Sequence, residues 1–171
     1  MELTTDRLIL IPASVEFLRA SLDRDFATAD ACHQITVPPT WPGHRDAIEG
    51  LPIHFRALQA DPRELLWRIR LVVLRDDRIA IGSVDLKGPP IDGDAEIGWG
   101  ILPSMRRMGF ATEATAAVVG WVAAQPGVTR ITATIADDNL ASIRLAHRLG
   151  LAKTAELRRG LPIYLRGVER V

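Results

Sequence analysis

Ala95-Glu96-Ile97-Gly98-Trp99-Gly100-Ile101, followed across Leu102 and Pro103 by Ser104-Met105-Arg106-Arg107-Met108-Gly109-Phe110-Ala111, is the stretch on which the fold turns. Side chains alternate along an extended strand. Ala95, Ile97, Trp99 and Ile101 therefore share one face, and Glu96, Gly98 and Gly100 the other. A carboxylate beside two positions without side chains describes a floor on which another molecule can lie, because strand glycine marks a bulge or a close backbone approach. A solvent-facing glutamate on a twisted strand is the plainer reading, and the strand alone leaves both open. The loop after it enters a helix predicted over 111–125, apolar nearly all round and hence buried on most sides. First-turn N–H groups lack intrahelical partners, the helix dipole is positive there, and Gly109 lets a phosphate come close. Arg106 and Arg107 add charge and donors. The loop reads either as an anion site or as an ordinary basic loop before a helix.

On the N-terminal side, 8–11 is a short apolar run stopped by Pro12 and reads as a strand. Ser14 caps a helix through about residue 21, and 36–43, with Pro38, Pro39 and Pro42, is irregular. A helix is predicted over 45–59 with a break at Gly50 and Pro52. Branched residues predict strands at 65–74 and 79–86, joined by the turn Arg75-Asp76-Asp77-Arg78, and 88–93 is a Pro/Gly loop. On the C-terminal side, a strand at 129–136 and a helix at 140–149 closed by Gly150 precede a tail with one or two short strands. Hairpins first, then strand–helix–strand–helix, predict one α/β domain over 1–171 with a mixed sheet.

Bulk properties exclude several function classes. Twenty-one basic and twenty-one acidic residues cancel, so no overall field draws the chain to nucleic acid or an anionic membrane. A single cysteine, Cys32, forbids an intrachain disulfide, and His33, His44, His54 and His147 lack ligand spacing, so no metal is expected and each reads as a surface or packing residue. The opening residues include Glu2, Asp6 and Arg7 with no signal-like apolar stretch, and no run reaches membrane-span length. A soluble, cytoplasmic protein is the expectation.

In the last helix Ile143, Leu145, Ala146 and Leu149 form the apolar arc, Ser142 falls inside it, and Arg144, His147 and Arg148 face away. Ser142 is either a small packing residue or a hydroxyl that binds or protonates a ligand. Asn139 is an N-cap candidate on the same two-way terms. Nucleotide loops fail on their letters: no Gly-Lys-Ser/Thr exists, and Pro103 stands where a dinucleotide fingerprint needs its third glycine.

Taken together the segments resemble the GNAT superfamily of N-acetyltransferases, and within it the ribosomal-protein N-terminal acetyltransferase-like branch. The likeness rests on Leu3-Thr4-Thr5-Asp6-Arg7-Leu8, on Ala95 to Trp99, on Arg106-Arg107-Met108-Gly109-Phe110-Ala111 with Thr112-Glu113-Ala114, and on Asn139-Leu140-Ala141-Ser142 continuing to Leu151. It implies a mixed, V-splayed central sheet flanked by helices, with acetyl-CoA in the opening. Cofactor contacts would come from Arg106, Arg107, Met108, Gly109, Phe110, Ala111 and Thr112, from the backbone of Gly100, Ile101 and Leu102, and from Asn139 and Ser142. It also implies an amine acceptor, a small molecule or a protein N-terminus. Glu96 would be the base, and Ser142, a water or nothing the acid. Ala146 stands where many relatives carry a tyrosine, and the closing hairpin after Leu151 looks shortened. Acceptor walls would be 31–45 and 157–162, where His44, Arg45, Arg158 and Arg159 hint at an acidic partner. Monomer and homodimer are both compatible. A competing class is a CoA-binding sensor of the same fold without turnover; a structural protein would need the loop match to be accidental.

Overall fold

Alternating apolar residues build one continuous sheet in the computed structural model, which describes residues 1–43 and 45–168. In chain order the strands are β1 (Leu3–Thr4), β2 (Leu8–Pro12), β3 (Ile69–Leu74), β4 (Ala80–Leu86), β5 (Asp94–Ile101), β6 (Arg130–Thr134), β7 (Ala152–Arg158) and β8 (Leu161–Gly167). Their spatial order is β1-β2-β3-β4-β5-β6-β8-β7. The β5–β6 pair is parallel and the other neighbours are antiparallel. The helices are α1 (Val15–Leu22), α2 (Phe26–His33), α3 (Arg45–Ala60), α4 (Phe110–Ala123) and α5 (Leu140–Arg148). Two cores result. One joins Leu8, Leu10, Ile97 and Ile131 to Val118 of α4 and Leu145 of α5. The other joins Ile11, Leu71 and Val73 to Phe17, Leu18, Ala29 and Leu51 of the first three helices. Each fully buried leucine or phenylalanine contributes about 1.5–3 kcal/mol.

Local signals hold where they are local. Ser14 accepts from the Phe17 N–H and Asn139 from the Ser142 N–H, as N-caps do, and Gly150 closes α5 at φ +79°. Three expectations change. The helix α3 runs unbroken through Pro52, because Leu51, His54 and Leu58 bury a common face that outweighs the breaker. The strand β3 begins only at Ile69, since Asp61 accepts from the Arg63 N–H and starts a 3-10 segment, Pro62–Trp67. The closing hairpin is not shortened: β7 and β8 are seven residues each. Its turn needs only Arg159 and Gly160, both at positive φ as a type I′ turn requires. Among the described residues no helix is long and apolar enough to cross a membrane.

The placement of β5 depends on Gly82 in β4. A Cβ there would lie 2.1 Å from the Gly100 carbonyl oxygen and 2.9 Å from the Ile101 Cα. Trp41, buried in the irregular segment after α2, donates its indole N–H to the Gly82 carbonyl at 3.3 Å. Gly82→Ala should therefore cost about 1–3 kcal/mol or more, read as a lowered urea midpoint. An unchanged midpoint would show that the two strands can separate at no cost.

Candidate active site

The parallel ladder between β5 and β6 pairs Asp94, Ala95 and Glu96 with Arg130, Ile131 and Thr132, and there it stops. From Ile97 to Ile101, β5 remains paired to β4 alone. Its backbone directions follow from the antiparallel alternation. The Lys87 N–H donates to the Glu96 carbonyl and the Leu102 N–H to the Ile81 carbonyl, so Gly98 and Gly100 also turn their backbone groups toward β4. Trp99 and Ile101 face the opening instead. The Ile101 carbonyl already accepts from Arg106 Nε at 3.0 Å. The edge that faces away from β4 past the ladder is thus Trp99 and the Ile101 N–H: of the expected Gly100, Ile101 and Leu102, Ile101 lies on it and the other two turn to β4.

The loop after β5 ends at Gly109, the N-cap of α4, at φ +83° and without a side-chain cap. The first amides of the helix, from Phe110, Ala111 and Thr112, are left to a ligand. Arg106, Arg107, Met108 and Gly109 are exposed, and Arg107 is held at φ 63°. Arg106 spends its Nε on the loop itself, so only its terminal nitrogens can meet an anion. The Phe110 ring is core, with the Arg7 guanidinium 4.5 Å above it. Arg7 binds the start of α4 further: its Nε donates to Glu113 Oε2 at 2.7 Å and a terminal nitrogen to the Met108 carbonyl at 3.0 Å. Thr5 donates to Glu113 Oε1 at 2.6 Å. The β1–β2 connection thereby fixes the loop before α4.

Glu96 lies where the ladder ends. Its side chain is 12% exposed and fully engaged: Oε1 accepts from Thr134 at 2.9 Å and Arg159 at 2.5 Å, and Oε2 from Arg158 at 2.8 Å. Arg158 also donates to Asp94 Oδ2 at 2.7 Å. Neither reading of Glu96 from the strand alone includes these partners. The two arginines that hint at an acidic partner are neutralised within the chain; His44 and the side chain of Arg45 lie outside the described residues. A cleft of roughly 370 Å³ opens on this face, lined by Lys87, Gly88, Ile91, Glu96, Arg130 and Arg158 among others.

Further along the same face is an ionic group around the buried Asp85 that sequence reading passes over. Asp85 of β4 pairs with Lys87 Nζ at 2.5 Å and stands 3.6 Å from His54 Nε2 of α3. It sits opposite Gly98, where a Cβ would come within 2.8 Å of its Oδ1. Burial alone would raise its carboxyl, but Lys87 and His54 outweigh burial and hold it well below the usual carboxylate range. Nothing local marks these residues, whose meeting depends on α3 crossing β4. Asn139 is exposed and spends its side-chain oxygen on the cap, and Ser142 is half-buried one turn on. The fully buried Ala146 belongs to the core, so a tyrosine there would overpack it. Among the described residues no cluster of metal ligands occurs.

With this geometry the comparisons agree. The family described as acetyltransferase (GNAT) domain matches residues 7–152. YoaA of Bacillus subtilis (strain 168), described as an uncharacterized N-acetyltransferase, is 32% identical over 162 residues, 91% of this chain and 85% of that protein. An acetyltransferase structure from Agrobacterium tumefaciens str. C58 superposes with a TM-score of 0.67 at 19% identity, covering 97% of this chain and 94% of that one. RimL, a ribosomal L7/L12 alpha-N-protein acetyltransferase solved with coenzyme A, superposes with a TM-score of 0.64 at 16% identity, covering 98% of both chains. At these identities the two structures attest the fold alone.

Because the Asp85 carboxyl is depressed in the folded state, its contribution is present above the unfolded value of about 3.9 and lost as pH falls toward the folded one. Asp85→Asn should lower stability near neutrality by about 1–3 kcal/mol and flatten the loss of stability below about pH 4. Urea titrations of both proteins across that range check this. Parallel curves would remove Asp85 from the acid limb.

Proposed function

The chain belongs to the acetyltransferase (GNAT) domain family, and on that premise we propose that it moves an acetyl group from acetyl-CoA to a primary amine. One arrangement carries the reading: Glu96 ends the β5–β6 ladder, β5 runs on with one edge unpaired, and the chain then enters the uncapped start of α4. These groups fit the cosubstrate. An uncapped helix start with a left-handed glycine and two exposed arginines suits a pyrophosphate, and the free edge of β5 suits an amide-bearing arm. When bound, acetyl-CoA supplies a thioester whose carbonyl carbon accepts a neutral amine.

The chain's part is to hold, orient and deprotonate. Backbone N–H groups of Phe110, Ala111 and Thr112, with Arg106 and Arg107, grip the phosphates. Trp99 and Ile101 align the arm, and an N–H on this edge polarises the thioester carbonyl. An α-amine has a pKa of roughly 8 and a lysine roughly 10, so near neutrality the acceptor arrives mostly protonated and a base is needed. Glu96 takes that proton, directly or through water. A thiol with a pKa of roughly 8.5 leaves readily as the thiolate, and Ser142 or a water reprotonates it. The quoted motifs favour the ribosomal-protein branch, with a protein N-terminus or a small amine as acceptor. A second reading, a CoA-binding module without turnover, draws on one observation: both Glu96 oxygens are already occupied.

Calorimetric titration of acetyl-CoA into wild type and Gly109→Val should show binding that the variant weakens at least tenfold, through bulk and backbone restriction at a left-handed position. Glu96→Gln should keep that affinity while kcat on an amine panel falls by about 10²–10⁴. Undiminished binding by Gly109→Val would refute the loop assignment. Binding without turnover of any amine would favour the module.

A further inference from the structure

The two arginines on Glu96 are not equivalent. Arg158 is 30% exposed and held three ways, by Asp94 and Glu96 and by the Thr132 hydroxyl at 3.3 Å. It ties the β7–β8 hairpin to β5. Arg159 is 64% exposed, sits at the tip of the two-residue turn, and reaches Glu96 through one terminal nitrogen. A guanidinium is built to engage a carboxylate with two parallel hydrogen bonds, so this contact leaves its fork half filled. Its exposed guanidinium, with a single contact, is the more readily exchanged of the two. It nevertheless occupies the oxygen that a proton-accepting Glu96 would need.

We infer that Arg159 is a specificity-determining gate that leaves Glu96 to grip a carboxylate carried by the acceptor. The preferred acceptors are then primary amines with a carboxylate a few atoms away, such as short peptides with an acidic second residue. Charge supports the exchange. An acceptor bringing its own carboxylate takes up the guanidinium that leaves Glu96 and fills the open fork, so no charge is left without a partner. The roughly 370 Å³ cleft beside Glu96 has room for a group of that size. The inference rests on Glu96 serving as base in acetyl transfer. In that reaction the ammonium first loses a proton to the oxygen Arg159 vacated, the N–C bond then forms as the C–S bond breaks, the electron pair leaves with sulfur, and the second amine proton passes through water to the thiolate.

The test uses the C-terminal amides of glycyl-aspartate and glycyl-asparagine, which differ only in the side-chain carboxylate, with wild type, Arg159→Gln and Arg159→Lys. Calorimetry on CoA-saturated protein reads affinity without turnover, and initial rates with acetyl-CoA read kcat and KM. Wild type should prefer glycyl-aspartate about fivefold or more in Kd and in KM. Arg159→Gln should abolish that preference while sparing or raising kcat on glycyl-asparagine, and Arg159→Lys should restore part of it. Equal affinity of wild type for both peptides, or the same preference in wild type and Arg159→Gln, overturns the inference whether or not transfer occurs. A binding preference lost in Arg159→Gln, with no amine acetylated, upholds the gate and counts against the transfer reading.

Discussion

Three residues of parallel pairing, Asp94 to Glu96 against Arg130 to Thr132, join the two halves of the sheet at its centre, and the next residues part. Parallel neighbours require a crossover, so α4 must leave from the end of β5 and return to β6. The start of α4 is thereby set at the mouth of the opening, with α5 following β6 in the same sense. Backbone groups on the parted edge have no strand to satisfy them, and buried groups of that kind demand a partner. A ligand that lays hydrogen-bonding groups along β5 and a charged group against α4 meets both needs at once. This is the arrangement expected at the carboxyl ends of strands in open α/β sheets.

Long-range ion pairs keep the opening in shape. Arg7 and Thr5 clasp Glu113 and so hold the helix start against the N-terminal hairpin. Arg158 clasps Asp94 and Glu96 and holds the C-terminal hairpin against β5. Thr132 and Thr134, on the same face of β6, complete the set by donating to Asp94 and Glu96. Glu96 is therefore part of a structural clamp, in which Arg158 is partly buried and Arg159 exposed.

Part of the geometry was legible in advance because its signals are local. Alternation put Glu96, Gly98 and Gly100 on one face, and Gly109 before an apolar helix marked a helix start. The surroundings of Glu96 were not legible. Arg158 stands 62 residues away and Thr134 38, and only the insertion of β8 between β6 and β7 brings the hairpin's turn over it. Nor could it be read that Ile101 faces the opening while Gly100 and Leu102 turn to β4, because the direction of each N–H depends on which residue of β4 lies opposite. Ala146 shows the same limit: a periodic arc identifies an inward side chain, but not whether inward means cleft or packed core.

By itself the sequence determined what short-range sterics and periodicity decide: the strand–loop–helix unit around Gly109, the caps at Ser14, Asn139 and Gly150, and an α/β domain with a mixed sheet. Side-chain oxygens reach amides two or three residues away, and a glycine's freedom at positive φ needs no distant partner, so these features survive any tertiary arrangement. Tertiary structure alone decided that Glu96 is held by two arginines, that Lys87 and His54 meet at the buried Asp85, and which backbone amides face the opening. Each depends on strand order and register, and a slip of one residue would turn every one of those groups to the other side.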